Sequence, residues 1–367
     1  MFCSLNKIIK SIYRKFKFYK ELSFQLNLKS EVARTRICDV WNKECPIFIQ
    51  DNLINPKYDL MIIIAAYNTG DYLEECIQSF LLQKTKYTFY TVIVDDGSTD
   101  NSSEVLKKYS KIENIKIIHQ DNRGFSGARN RALEEIYGKY VMFLDSDDIL
   151  MPNAIECLMD IAVKENADIV AGGYNTFSEK GLLETYGFGN LIRRVRPGEV
   201  PGFTCMKIIR SELLADFCFP KGFLFEDTVL SKLVYPKCNC VYTVPDIVYG
   251  YRVRKGSISH SYNKKSACID TFWITKFCLE ESVKRGYSLD MYMYKEYLKQ
   301  CYVNYLRTRY LSEELQESLF VLTVEMLNEY WQDTYIKSPN KFKMLDQALK
   351  RKSFKAYRYI LERWELF

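Results

Sequence analysis

The stretch YVMFLDSDDILMP, residues 140–152, sets three carboxylates, Asp145, Asp147 and Asp148, at the end of an apolar run. Ionised carboxylates held side by side repel one another, and a divalent cation shared with a bound phosphate relieves that repulsion. A second acidic turn lies earlier, in VIVDDGSTDNS, where an apolar strand delivers Asp95 and Asp96 into Gly97. Ser98 and Asp100 suit the capping of a following helix. Capping does not account for two adjacent carboxylates at a strand tip, one of which can accept the imide N–H of a uracil or thymine ring.

Other residues point to the same chemistry with less force. Tyr67 offers a ring to stack on a base, although a tyrosine at a strand end is more often core. The loop NRGFSGARN places Gly124, Gly127 and Arg129 at a helix start, where backbone N–H groups and a guanidinium favour phosphate. In FPKGFLFEDTVLSKLVY, Glu226 and Asp227 fall at another helix start, either as plain N-terminal carboxylates or as reacting groups. YRVRKGSISH gathers Arg252, Arg254, Lys255, Ser257 and His260, either a lid over phosphates or a solvated basic loop.

Positioning these groups falls to an alternation of short apolar strands and helices that begins at Tyr58. The strands LMIIIAA, FYTVIV, IKIIH, YVMFL and ADIVAG are separated by helices near 72–82, 102–109, 126–137 and 153–165. This predicts an α/β fold, a mostly parallel sheet covered on both faces. Ligands on such sheets sit beyond the carboxyl ends of the strands, where YNTGD, DDGSTDN, QDNRGFSGARN and DSDD all fall. After Gly173 the pattern loosens, with short strands near 205–209 and 247–253; from about Ser266 it becomes helical and rich in aromatics. Residues 30–57 show no period and read as a connector.

The chain has 367 residues and a formal charge of +6, and its first twenty residues carry six basic side chains and no acid. The remainder sums to zero, which argues against a nucleic-acid binder. Residues 8–18 repeat apolar groups at helical spacing with Lys and Arg on the other face, suited equally to an anionic membrane surface or to docking on the protein's own body. Twelve Cys without a zinc spacing read as free thiols of a reducing cytosol, and two His exclude a His-rich metal site, so any metal must take oxygen ligands. The longest apolar run, residues 60–67, is too short to span a bilayer, and a cytoplasmic protein, at most peripheral on the inner face of the membrane, is expected. The aromatic carboxy-terminal helices read as packing, and could also offer a homo-oligomer interface.

In order and spacing, IIIAAYN, VDDGSTDNS, GFSGARN, FLDSDD, FPKGFLFED and YRVRKGSIS resemble glycosyltransferase family two, over residues 59–261. Bacterial enzymes of capsular and exopolysaccharide assembly are similar. The resemblance implies a GT-A fold over 58–265, between a basic extension and connector at 1–57 and a helical region at 266–367. It implies an inverting transfer of one sugar from a nucleotide sugar, a uridine diphosphate sugar being favoured, to a glycan or lipid-linked oligosaccharide. Base recognition would fall to Asp96 with Tyr67 at the strand exit beside Ala65, and ribose and metal contact to Asp145. Asp147 would be the principal ligand of Mg²⁺ or Mn²⁺. Arg129 would lie toward the diphosphate, with His260 a weaker candidate for the leaving group or the metal. Asp227 would be the general base and Glu226 the less favoured choice.

Departures are Ala65 for a frequent Pro, and Arg123 and Phe125 for Gly and Leu. The Gln-x-x-Arg-Trp motif of processive synthases is absent: Arg363 and Trp364 occur, but Ile360 takes the Gln position. Two rivals stand beside this reading. A nucleotidyltransferase would need an early Gly-rich loop where AAYNTGD stands, and a silent sugar-nucleotide-binding or membrane-surface scaffold has no need of Glu226 and Asp227.

Overall fold

The computed structural model describes residues 2–254, 266–334, 336 and 340–364, with side chains from Lys10 onward. The chain divides into two compact units, one of residues 45–257 and the other of residues 1–44 with 258–367.

The unit of residues 45–257 is a twisted sheet with helices on its faces. Its first half contains β1 (Leu53–Ala66), α1 (Gly70–Leu81), β2 (Phe89–Asp95), α2 (Ser102–Tyr109), β3 (Ile115–His119), α3 (Gly124–Leu133) and β4 (Glu135–Asp145). These strands lie in the order β3-β2-β1-β4, all parallel. The second half adds β5 (Ile149–Leu150), α4 (Ala154–Lys164), β6 (Ile169–Ser178), β7 (Gly181–Tyr186), β8 (Arg193–Val195), β9 (Lys207–Arg210) and β10 (Val241–Arg252). The sheet continues past β4 as β9-β6-β10-β5, with β9 antiparallel to both neighbours. Leu60, Met61, Ile62, Ile63 and Ile64 of β1 are buried, as a central strand covered on both faces requires.

Two stretches differ from the sequence reading. The first strand starts at Leu53, inside the stretch that reads as a connector. It accommodates Pro56 because its register with β4 shifts between Ile54 and Tyr58, and a proline that cannot donate to the ladder belongs at such a bulge. The helix expected to reach 137 stops at Leu133, because Glu135 and Ile136 pair with Leu53 and Ile54 as the start of β4. At Gly138 the two strands press so close that a Cβ would stand 2.3 Å from Met61 N.

The other unit is helical: α5 (Asp270–Lys284), α6 (Met291–Thr308), α7 (Glu313–Trp331), α8 (Lys341–Lys350) and α9 (Phe354–Leu361), joined by two amino-terminal helices at Phe2–Leu22 and Ser30–Cys38. The second of these also lies in the supposed connector and buries Ala33 and Ile37. The aromatic stripe of α6 is core: Tyr294, Tyr297, Cys301 and Tyr305 pack with Phe18, Phe320, Trp331 and Ile360. Trp41 stacks on Trp273 at 4.7 Å and donates to Asp270 at 2.6 Å, which ties the amino-terminal stretch to α5.

Candidate functional site

β1 is flanked by β2 on one side and β4 on the other, and its last residues set the register. Ala66 pairs with Asp95, and Ala65 pairs with Val94 and Asp145. Asp95 and Asp145 therefore close neighbouring strand ends across β1, two strand spacings or roughly 10 Å apart. Both acidic turns emerge from one edge of the sheet. Ala65 itself is buried, while Tyr67 just beyond it is 47% exposed.

The two carboxylates of the first turn have different tasks. Asp95 accepts from Ser98 N at 3.0 Å, Ser103 Oγ at 2.8 Å and His119 Nδ1 at 2.9 Å, which closes the turn. Burial alone would raise its pKa, but these hydrogen bonds hold the carboxyl below the usual range. Asp96 is also buried, and its Oδ1 accepts from Gln120 Nε2 at 2.6 Å and Arg123 N at 2.9 Å. No described residue bonds its Oδ2. Asn68, in the left-handed region at φ 51, ties the Tyr67 loop to this turn by donating from its N to Ser98 Oγ and accepting from Thr99 N.

The second turn is held from β10. Tyr249 is fully buried; its hydroxyl donates to Asp148 Oδ2 at 2.8 Å and accepts from Asp145 N at 3.2 Å. Arg252 N donates to Asp148 Oδ1 at 2.7 Å, and Arg252 Nε to Asp147 O at 2.8 Å. Burial and the charges of Asp145 and Asp147 push the Asp148 carboxyl well above its ordinary pKa. Asp148 is thus a structural member of the turn. Asp147 Oδ2 accepts from Arg254 Nε at 2.7 Å.

Arg129, expected toward the diphosphate, is held among the carboxylates at this edge of the sheet. It is 3% exposed, and its guanidinium donates to Asp145 Oδ1 at 2.8 Å, Glu226 Oε1 at 2.9 Å and Thr204 Oγ1 at 3.1 Å, with its flat face 4.1 Å from the Phe125 ring. Three donors in a fixed plane suit Arg to such a bridge. It joins the acidic turn after β4 to the Glu226-Asp227 pair. Burial raises the pKa of both Asp145 and Glu226; Arg129 opposes the rise, and Asp147 and Asp227 respectively add to it.

Asp227 stands apart from this bridge. Its Oδ1 is buried and has no hydrogen-bond partner among the described residues. A buried carboxylate oxygen left unmatched is costly, and a catalytic role or a bound water or ion is among the explanations for one. Phe225, two residues earlier, holds φ at 63°, a strained value for a bulky side chain that sets the direction of the Glu226-Asp227 turn. Lys207 is fully buried close by; burial lowers its pKa to about 8, and Nζ donates to Pro201 O and Phe203 O, fixing the loop that carries Thr204.

Among the described residues no three side chains of metal-ligating type converge. Asp145 and Asp147 each keep one carboxylate oxygen unbonded by any described residue, and their mutual repulsion persists beside Arg129 and Arg254. That donor set fits Mg²⁺ or Mn²⁺, which take one or two carboxylates and complete their shell with substrate phosphates. His260, Lys255 and Ser257 lie outside the described residues. Sequence spacing singled out the acidic turns, but not Tyr249, Thr204 or Lys207, whose parts depend on what stands opposite them in space.

The profile of Glycosyl transferase family 2 matches residues 61–226. The chain is similar to Glycosyltransferase GlyA of Streptococcus pneumoniae serotype 4, 32% identical over 56% of this chain and 32% of that protein. Glycosyltransferase GlyG of the same organism is 30% identical over 54% of this chain and 72% of its own length. Putative glycosyltransferase EpsH of Bacillus subtilis is 30% identical over 56% of this chain and 63% of its own. The chain therefore spans from about a third to nearly three quarters of these relatives. Among solved structures, residues 1–349 of Staphylococcus aureus TarS in complex with UDP-GlcNAc superpose with a TM-score of 0.68 at 20% identity, over 84% of this chain and 91% of that one, a likeness of fold.

Proposed function

Because the chain belongs to glycosyltransferase family 2 and has a GT-A fold, we propose that it moves one sugar per encounter from a nucleotide sugar to an acceptor hydroxyl. The acceptor in this reading is a glycan or a lipid-linked oligosaccharide of cell-surface polysaccharide synthesis, met on the cytoplasmic side where nucleotide sugars are made. The observation that carries the proposal is the emergence of both acidic turns from one sheet edge, with the residue pair that holds the unmatched Asp227 Oδ1 joined to the second turn through Glu226 and Arg129.

In this reading Asp96 accepts the imide N–H of a uracil ring stacked on Tyr67, a choice supported by the UDP-GlcNAc bound to TarS. Asp147 and Asp145 hold Mg²⁺ or Mn²⁺, whose charge supports the leaving diphosphate. Asp227 Oδ1 takes the proton of the acceptor hydroxyl while that oxygen attacks the anomeric carbon from the face opposite the diphosphate. The new C–O bond forms as the bond to the diphosphate breaks, the nucleoside diphosphate leaves, and the configuration inverts. Glu226, engaged by Arg129, is the less suitable base. Arg129 orients both carboxylates and lies toward the diphosphate.

A panel of nucleotide sugars, each incubated with the protein and Mn²⁺ and assayed for free nucleotide, tests this directly. One uridine diphosphate sugar should be turned over in preference to the rest. Asp227→Asn should lower transfer by about 10²- to 10⁴-fold with donor binding retained. Near-normal transfer by that variant would remove Asp227 as the base, and silence across the whole panel would favour a binding protein.

A further inference from the structure

The helix Phe2–Leu22 has two faces, and the fold uses one of them. Phe18 is fully buried in the core of the helical unit, with Tyr297, Leu345 and Ile360. On the far side Ile12, Phe16 and Tyr19 are 63%, 69% and 53% exposed. At 3.6 residues per turn these three fall within about 60° of one another, a continuous stripe along the helix. Lys15 borders it on one side and Lys20 on the other, both exposed, and no acid precedes Glu21. Sequence pattern leaves open whether the helix docks on its own protein or on a membrane; the two faces separate these tasks.

We propose that this helix lies in the headgroup layer of an anionic bilayer, with Ile12, Phe16 and Tyr19 inserted and Lys15 and Lys20 against lipid phosphates, while Phe18 fastens it to the helical unit. Charge selects the partner. Apolar side chains flanked by lysines suit the boundary between acyl chains and anionic headgroups. A second copy would bring like charges together around a stripe of three residues, far short of the roughly 800 Å² per partner of a stable interface. The inference does not depend on the sugar-transfer reading, and nucleotide release measured without lipid tests that reading separately.

The experiment is co-sedimentation of the full chain with vesicles of phosphatidylcholine alone or mixed with phosphatidylglycerol, at low and high salt. Binding should require phosphatidylglycerol and weaken as salt rises. The triple variant Ile12→Ser, Phe16→Ser, Tyr19→Ser should bind at least about tenfold more weakly with an unchanged melting temperature and unchanged nucleotide release. Phe18→Ala should lower the melting temperature, which confirms that the two faces are independent. Wild-type failure to bind anionic vesicles, or equal binding by the triple variant, overturns the proposal. So does a lipid-free dimer that the triple variant converts to monomer, because the stripe would then be covered by a second copy.

Discussion

At the scale of single residues, the site is a set of carboxylates that differ in what already engages them. Both oxygens of Asp148 and of Asp95 are engaged, by β10 in the one case and by the turn and His119 in the other, whereas Asp96 Oδ2 and Asp227 Oδ1 have no partner among the described residues. The central cation is the buried Arg129, which pairs with the partly buried Asp145 and Glu226 and so fixes where both carboxylates stand. Arg129→Met should cost about 1–3 kcal/mol of stability, because two partly buried carboxylates lose their charge-assisted hydrogen bonds, and it should depress turnover as well. Thermal denaturation alongside a donor assay reads both, and an Arg129→Met protein as stable as wild type would show the bridge to be idle. Asp95 makes a pH-dependent prediction. Its carboxyl is held below the ordinary value despite burial, so the stability it contributes is complete above the unfolded pKa of about 3.9 and is lost as pH falls through the lower folded value. Asp95→Asn should melt lower than wild type at pH 7, with the gap closing below about pH 4; a gap independent of pH would contradict the assignment.

At the scale of elements, the tips of β1, β2 and β4 could be read from sequence because each is an apolar run that breaks into a polar turn, and period alone locates such breaks. The segment around Pro56 could not, because its strand pairing depends on a bulge against β4, a relation between residues some eighty positions apart. The helix end at Leu133 was obscured for the same reason: Glu135 has little strand character of its own, and it joins β4 with Ile136 by pairing with Leu53 and Ile54. Tyr249 carries no motif that marks it, yet from β10 it shapes the turn holding Asp145 and Asp148. Gly138 shows how tightly this part of the sheet is built. Gly138→Ala would drive a Cβ into Met61 N and Tyr140 O, and should destabilise the unit by about 1–3 kcal/mol in urea denaturation. A neutral substitution there would mean that β1 and β4 can separate without loss.

At the scale of the whole molecule, the sequence divides into a segment with strand-helix alternation and a helical, aromatic segment, and this contrast is visible in hydrophobic period. The joining of residues 1–44 with 258–367 in one unit is not, because Trp41 on Trp273 and Phe18 against Ile360 are contacts between distant stretches with no shared pattern. The same limit hides the two faces of the first helix, whose periodicity is equally that of a docked or a lipid-bound surface. What the whole account requires is that the two acidic turns, fifty residues apart in sequence, serve one nucleotide. Calorimetric titration of UDP into the protein, with and without Mn²⁺, for wild type, Asp96→Asn and Asp147→Asn, measures this most directly. Wild type should bind one UDP per chain with Mn²⁺ and much more weakly without it, and each substitution should cost at least about tenfold in affinity, near 1.4 kcal/mol. Unchanged Mn²⁺-dependent UDP affinity in either variant would contradict a shared donor site.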